Sequence, residues 1–241
     1  DWGPCLPVSG VWLPSRIECS DHPRLESFQV RQTHIGPPGA PRHVDLEFTV
    51  RLNSPGVRDG CLILEVDGGD ATTLGRLSPG ANAWKVPVRI AKPRLWWPVG
   101  QGTPELYEVR LRWADGSGIA EYPTRRVGLR TLELVRERDR TPAGKPGESF
   151  FFRVNGRAVF MKGADWIPPD AYEDRATIPV VRHLLDSMAE ANMNAVRVWG
   201  GGRYERDEFY DLCDEMGLMV WQDFMMACAA YPDEPALMRE Y

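Results

Sequence analysis

Long apolar runs are absent from this 241-residue sequence, in which nothing approaches the ~20 consecutive apolar residues that a membrane-spanning helix requires. Positive charge is not in excess either, because 29 Lys and Arg residues stand against 34 Asp and Glu residues, a formal net charge of -5. Binding to nucleic-acid phosphates needs clustered excess cation, and the arginines here are scattered along the chain. The sequence therefore predicts neither a membrane protein nor a general nucleic-acid binder.

Cysteine is scarce and unpatterned: the five residues are Cys5, Cys19, Cys61, Cys213 and Cys228, and no two have C-x-x-C spacing. This pattern predicts reduced, mostly buried thiols and argues against a zinc site. The chain also lacks an Asn-x-Ser/Thr glycosylation site, and it opens without the basic start and apolar run of a signal peptide. These features favour a cytoplasmic location over a lysosomal or exported one.

The stretch from about Pro23 to Leu134 alternates short apolar strands with turn residues such as Pro-Gly and Asp-Gly pairs. Such punctuation is typical of an antiparallel β-sandwich of the immunoglobulin type. We expect no disulfide there, since Cys61 has no obvious partner in this stretch. The predicted strands are Arg24–Thr33, His43–Asn53, Gly60–Val66, Ala83–Ile90, Tyr107–Ala114 and Gly128–Val135, and Gly10–Glu18 is read as an earlier strand.

Trp96 and Trp97 form an adjacent aromatic pair with two interpretations. They could form a platform on which a sugar stacks, or they could pack where the sandwich meets a neighbouring part of the protein. Large aromatic side chains dominate such interfaces, so we favour packing.

Beyond Glu148 the pattern changes to hairpin and helix signals. Asn155-Gly156 lies between two apolar runs and predicts a hairpin turn. Apolar residues at helical spacing predict helices over Ile178–Ala191 and Asp207–Met216, and Gly217 is placed to cap the second helix. Cys213 lies on the apolar face of that helix and is expected in the core.

Short apolar strands are predicted around these helices, at Val159–Gly163, Val196–Val198 and Leu218–Trp221. Strands that alternate with helices form parallel sheets, so the order predicts the first three βα units of an incomplete (β/α)8 TIM barrel. Chemistry collects at the carboxyl ends of such strands, where Trp199 and Trp221 to Asp223 lie. We expect Val196, Val198 and Val220 to face the barrel interior without partners.

Four separated motifs carry a resemblance to a known family. They are Asp1-Trp-Gly-Pro4 with Gly10-Val-Trp12, Lys162–Asp170, Ala191–Gly202 and Asp207–Asp223. In this order and spacing they resemble glycoside hydrolase family 2, and within it the β-mannosidases, along nearly the whole chain. The resemblance implies exo-acting, retaining hydrolysis of terminal non-reducing β-D-mannose from mannose-containing oligosaccharides. No cofactor or metal is implied, because carboxylates suffice for this reaction.

The resemblance also implies a division of the chain. Residues 1–20 look like the end of an N-terminal sugar-binding-type β-sandwich, residues 21–135 like an immunoglobulin-like β-sandwich, and residues 136–241 like the first part of the catalytic barrel. The chain opens inside a motif, as a piece of a longer protein would.

Site residues follow from the same resemblance, position by position. Arg197 matches an arginine that orients the catalytic nucleophile's carboxylate, and Asp1 matches a carboxylate that binds sugar hydroxyls. Three tryptophans and one further carboxylate match positions that line or support the sugar pocket; they are Trp166, Trp199, Trp221 and Asp223. Members of the family usually have Asn where this chain has Asp165, so the resemblance assigns Asp165 no role.

Both catalytic glutamates are expected beyond Tyr241, because the family's acid/base lies in an Asn-Glu pair and this chain contains no such pair. The chain alone is therefore predicted to be inactive. Two other hypotheses stay open: another family 2 exo-glycosidase of the β-glucosaminidase, β-galactosidase or β-glucuronidase type, and a non-catalytic carbohydrate-binding module. The oligomeric state does not follow from the sequence.

Overall fold

A computed structural model describes most of the chain and shows a mostly β protein with two α-helices among its described residues. Those residues are 9–11, 15, 17–67, 69–138, 147–235 and 237–239. The chain divides into two compact units. The β unit holds Ile17–Trp97 and Glu105–Val159, and the α/β unit holds Asp1–Arg16, Pro98–Pro104 and Phe160–Tyr241.

The β unit is built on two antiparallel sheets that share one hydrophobic core. One sheet has the strand order β1-β2-β5, and the other has the order β4-β3-β6-β7 with β8 paired to β6. The strands are β1 (Arg24–Ile35), β2 (His43–Ser54), β3 (Arg58–Val66), β4 (Gly69–Leu77), β5 (Gly80–Ala91), β6 (Tyr107–Asp115), β7 (Gly118–Glu121) and β8 (Arg125–Val127).

Strict alternation along the strands creates this core. In β2, Leu46, Phe48 and Val50 are buried, while the residues between them face outward. They pack with Leu64 of β3 and Trp113 of β6 in one cluster. At roughly 25 cal/mol per Å² of buried apolar surface, such side chains supply most of the driving force for this unit.

Two strand predictions differ from the structure. Strand β4 was not expected, because its sequence is rich in Gly, Thr and Asp; Gly75 is needed there because a Cβ would meet the Trp84 ring. The strand predicted over Gly128–Val135 is confirmed only at Leu132–Val135, and it does not join the sandwich. The chain leaves the sheet at Gly128, whose carbonyl accepts a hydrogen bond of 2.9 Å from Gln32, and the next strand lies in a third sheet.

The third sheet contains the predicted hairpin. Its strands, in the order β11-β10-β9, are β9 (Leu132–Val135), β10 (Phe151–Val154) and β11 (Arg157–Val159). Asn155 and Gly156 take positive φ of 50° and 79° and form the turn, as predicted. This hairpin lies in the β unit, although the boundary drawn from the sequence assigns it to the barrel.

Buried Asn155 connects this hairpin to the tryptophan pair. Its Nδ2 donates to the Trp96 carbonyl at 3.0 Å, and its Oδ1 accepts from the Thr131 N–H at 2.9 Å. The Trp96 side chain is 1% exposed, with the Arg130 guanidinium over its ring at 5.0 Å. Trp96 therefore packs inside the protein and offers no surface on which a sugar could stack.

The α/β unit alternates strands and helices in the predicted order, but its first strand is Gly163–Trp166 and not Val159–Gly163. Its elements are β12 (Gly163–Trp166), α1 (Ile178–Glu190), β13 (Ala195–Val198), α2 (Asp207–Met216) and β14 (Met219–Gln222). The three strands are parallel, in the order β12-β13-β14. Gly217 caps α2 with a φ of 77°, and Cys213 is buried, both as predicted.

The strand valines face the opposite way from the prediction. Val196 and Val198 are each 1% exposed and pack in the cluster that contains Val181 and Leu185 of α1, and Val220 packs against it. Because side chains alternate along a strand, the other face of the sheet carries Arg197 and its neighbours. The valines are therefore core residues in contact with the helices.

Two further predictions concern the strand near the start of the chain and the absence of a membrane-spanning helix. Of the strand predicted over Gly10–Glu18, the described residues are not in a strand. Among the described helices, none has the length and apolar character needed to cross a membrane.

Candidate functional site

Three side chains form a row across the parallel sheet, one residue before the end of each strand. Asp165 of β12 pairs in register with Arg197 of β13, and Arg197 pairs with Trp221 of β14. Residues in register point to the same face of a sheet. The Asp165 and Arg197 side chains are 62% and 44% exposed, and Trp221 is 42% exposed. This face is the one that the helices leave free.

The Arg197 guanidinium is held between two carboxylates. Its Nε and Nη2 donate to Oδ1 and Oδ2 of Asp223 at 3.2 and 2.7 Å, and its Nη1 donates to Oδ1 of Asp165 at 3.2 Å. The Asp223 hydrogen bonds raise the pKa of Arg197. Arg197 therefore has two carboxylate partners within this chain, and its side chain is half-exposed.

Asp223 is the better satisfied of the two carboxylates. Besides Arg197, it accepts a 3.2 Å hydrogen bond from the Gly200 N–H and one from the Trp221 side chain. The hydrogen bonds from Arg197 lower its pKa, against the effect of burial. An ionised Asp223 therefore ties the ends of β13 and β14 together at this site.

Trp166 lies on the other face of the sheet. Its ring centroid is 4.9 Å from that of Phe209 in α2, and its side chain is buried among the helix-facing residues. Its indole Nε1 donates to Oε1 of Glu205 at 3.1 Å. The structure thus places Trp166 in the core under the site, apart from the exposed row.

Trp199 lies directly after β13, where the glycine triplet begins. Its backbone N–H donates to the Trp166 carbonyl at 3.0 Å, and its side chain is half-buried. A Cβ on Gly200 would meet the Phe224 carbonyl, and one on Gly201 would meet the Trp199 ring. The triplet is required by close approach to neighbouring groups and not by positive φ.

A buried ion-pair network lies beneath this loop, and no sequence pattern indicated it. Glu205, with a side chain 3% exposed, pairs through Oε2 with Nη1 of Arg203 at 3.1 Å. Nε of Arg203 in turn approaches Oε2 of Glu173 at 2.6 Å. Arg203 and Glu205 lie in a loop and Glu173 begins a three-residue 3-10 helix, none of which has a periodic pattern, so only their positions in space reveal the network.

Metal-binding clusters of three or more His, Cys, Asp or Glu residues do not occur in the part of the chain that the structure describes. Asp1, which was predicted to bind sugar hydroxyls, lies outside the described residues. The arrangement that remains is an arginine, two carboxylates and an exposed indole at the ends of parallel strands. Such a surface can bind hydroxyl groups, stack on a sugar ring and position a further carboxylate.

Comparisons with known proteins identify relatives of this chain. Residues 28–130 match the family profile described as glycosyl hydrolases family 2. The curated β-mannosidases of Rattus norvegicus and Capra hircus are 38% and 37% identical over 99% of this chain. The chain is similar to the family 2 β-mannosidases. The resemblance seen in the sequence is thereby confirmed, and the named relatives are glycoside hydrolases.

Solved structures give the same result. The β-D-mannosidase of Dictyoglomus thermophilum matches with a TM-score of 0.80 and 35% identity, over 91% of this chain and 26% of that protein. The exo-chitosanase of Amycolatopsis orientalis matches with a TM-score of 0.68 at 21% identity, over 82% of this chain and 22% of its own, and so shows a likeness of fold alone. The chain spans 27% of the length of the curated β-mannosidases that it matches.

Proposed function

We propose that this chain is part of an exo-acting, retaining β-mannosidase that removes terminal non-reducing β-D-mannose from oligosaccharides. The observation that carries the proposal is the similarity to curated β-mannosidases over 99% of the chain, joined to an exposed Asp165–Arg197–Trp221 row at the strand ends. The relatives' names supply the sugar, and the row supplies a surface suited to it.

The domain arrangement belongs to the same proposal. Residues 21–135 form an immunoglobulin-like β-sandwich, which is supported by two antiparallel sheets that share one core. Within residues 136–241, the chain from β12 onward begins a (β/α)8 barrel, which is supported by the order β12-α1-β13-α2-β14 with parallel strands; the hairpin before β12 belongs to the β unit. Residues 1–20 end a preceding sugar-binding-type domain. Active sites of such barrels lie at the carboxyl ends of the strands, where the exposed row lies.

Retaining hydrolysis needs two carboxyl groups about 5 Å apart, one to attack the sugar and one to protonate the leaving oxygen. We assign both to parts of the protein beyond Tyr241, since the Asn-Glu pair of the family does not occur in this sequence. The nucleophile attacks the anomeric carbon and forms a glycosyl intermediate, while the acid gives its proton to the departing alcohol. The acid, now a base, then takes a proton from the water that releases mannose.

Arg197 is the residue of this chain that serves that chemistry most directly. It has five N–H groups, and the three hydrogen bonds to Asp223 and Asp165 leave two without a partner among the described residues. A nucleophilic carboxylate held by these N–H groups would stay ionised and correctly oriented. Asp223 fixes the guanidinium in place for this task.

The aromatic residues and Asp1 complete the proposed pocket. Trp221 presents an exposed indole beside Arg197, and Trp199 lies at the end of the neighbouring strand. Aromatic rings stack on the apolar faces of sugars and contribute much of the contact area in ligand pockets. We propose that Trp221, Trp199 and Asp1 contact the sugar, whereas Trp166 supports the site from the core.

Assays of the full product of the gene that encodes this chain test the proposal. We expect hydrolysis of nitrophenyl β-D-mannoside to exceed that of the β-galactoside, β-glucosaminide and β-glucuronide, and NMR to show β-mannose as the first product. A preference for another of these glycosides would support the second hypothesis, a different family 2 exo-glycosidase. Binding of sugars without hydrolysis of any of them would support a carbohydrate-binding module.

A further inference from the structure

The two carboxylates on Arg197 differ in how much of their hydrogen-bonding capacity is in use. Asp223 receives two hydrogen bonds from Arg197, one from Gly200 and one from Trp221, and its side chain is 18% exposed. Asp165 receives one hydrogen bond, from Arg197 to its Oδ1, and is 62% exposed. Among the described residues, Oδ2 of Asp165 has no partner.

A carboxylate has about four acceptor positions on its two oxygens. The four donors around Asp223 therefore leave it no capacity for a ligand, and its role is to fix Arg197 and the Gly200 loop. Asp165 retains most of its capacity on the face that the helices leave free. Its register with Arg197 and Trp221 places it in the same row as the exposed indole.

The charges of Arg197 and its two carboxylate partners also affect which ligands this site can bind. Arg197 carries one positive charge, and Asp165 and Asp223 carry one negative charge each, so the cluster has a net charge of -1. An arginine with a single carboxylate partner would attract a second anion. A nucleophile that the protein itself holds in place can still reach the two remaining N–H groups of Arg197. The carboxylate of a mobile ligand is attracted far less by an arginine with two partners, and the free oxygen of Asp165 repels it.

We propose that Asp165, and not Asp223, is the ligand-facing carboxylate of this site, accepting a hydroxyl hydrogen bond from a neutral sugar and excluding sugars that carry a carboxylate. The inference rests on the proposed function only in taking this face as the sugar-binding face. It deepens the proposed function by naming what Asp165 selects: neutral hexosides are accepted, and uronic acids are rejected at this position.

The matched pair D-mannose and D-mannuronate separates the effect of charge from that of sugar configuration. Their affinities for the full gene product can be measured by calorimetry or by tryptophan fluorescence. We expect D-mannuronate to bind the unaltered protein at least tenfold more weakly than D-mannose. Binding of neither sugar, or equal binding of both, would overturn the proposal.

The variant Asp165→Asn tests the residue itself, because an amide oxygen can still accept from Arg197 while the negative charge is lost. We expect it to bind D-mannose about tenfold more weakly and to lose most of the discrimination against D-mannuronate, with little change in Tm. Asp223→Asn should lower the Tm and weaken the binding of both sugars to the same extent. Asp186→Asn, an exposed position on α1, controls for net charge and should change nothing.

Two results would contradict the role given to Asp165. One is an unchanged ratio of the two affinities in Asp165→Asn. The other is a loss of Tm as large as that of Asp223→Asn, which would show that Asp165 is structural. If the protein discriminates between the sugars through Asp165 but hydrolyses no β-mannoside, the proposed function fails and this inference stands.

Discussion

The indole N–H of Trp166 donates a 3.1 Å hydrogen bond to the Glu205 carboxylate on the helix side of the parallel sheet. Glu205 also holds Arg203, and both side chains are largely buried. The loop between β13 and α2 is thereby fastened to the end of β12. The site on the opposite face depends on this support, because the same loop carries the Gly200 N–H that binds Asp223.

Glu205→Ala should destabilise the protein, because it leaves the buried indole N–H without an acceptor and removes one partner of Arg203. Breaking a buried ion pair costs about 3 kcal/mol. Urea unfolding followed by tryptophan fluorescence measures the change in the free energy of unfolding. The control is Glu190→Ala, an exposed residue at the end of α1, for which we expect a change within about 0.5 kcal/mol. Equal effects of the two changes would contradict the network.

The sequence predicted the α/β unit well because its signals are local. Apolar spacing located both helices, and the position of Gly217 predicted a cap that the structure confirms. Which face of each strand packs against the helices could not be predicted in the same way. Each strand has only four residues, which is too few for the pattern to tell which face meets the helices, and Val196 was assigned to the wrong face.

The candidate site shows a second limit of reading a sequence. The spacing of Arg197 and Trp221 at the ends of predicted strands was sufficient to bring them to one edge. The difference between Asp165 and Asp223 was not accessible, because it depends on how many donors surround each carboxylate. Those donors come from residues distant in sequence, such as Gly200 and Arg197.

Acid stability of the β unit should depend on Asp115. The hydrogen bond from the Ser117 hydroxyl, together with those from Trp113 and Arg58, lowers the pKa of Asp115 well below 3.8. A lowered carboxylate pKa in the folded state stabilises the protein above the unfolded value of about 3.8, and that contribution is lost as the pH falls through the folded pKa.

Asp115→Asn should therefore lower the free energy of unfolding at neutral pH, and the gap from the unaltered protein should narrow below about pH 3.8. Urea unfolding across this pH range measures both curves. Asp59→Asn is the matched control, since among the described residues its exposed carboxylate contacts only Arg76, at 3.5 Å. A gap that is constant with pH would show that Asp115 titrates normally.

Cysteine reactivity should separate the thiols by burial. Burial raises the pKa of Cys213 to about 12, so this thiol stays protonated at neutral pH. Cys19 and Cys228 are exposed. Alkylation with iodoacetamide, followed by mass spectrometry, should modify these two in the folded protein and Cys213 only after unfolding. Early modification of Cys213 would contradict the packing of α2 against the sheet.

The central claim is that Arg197 serves catalysis in a β-mannosidase, and Arg197→Lys tests it most directly. Lysine keeps the charge but cannot hold Asp223 through two parallel hydrogen bonds while reaching a further carboxylate. The measurement is kcat/KM of the full gene product for nitrophenyl β-D-mannoside, with circular dichroism to confirm folding. We predict that the unaltered protein hydrolyses this substrate and that the folded variant is slower by roughly 100-fold, as expected for a misplaced catalytic group. A folded Arg197→Lys variant with full activity, or an unaltered protein with none, would contradict the account.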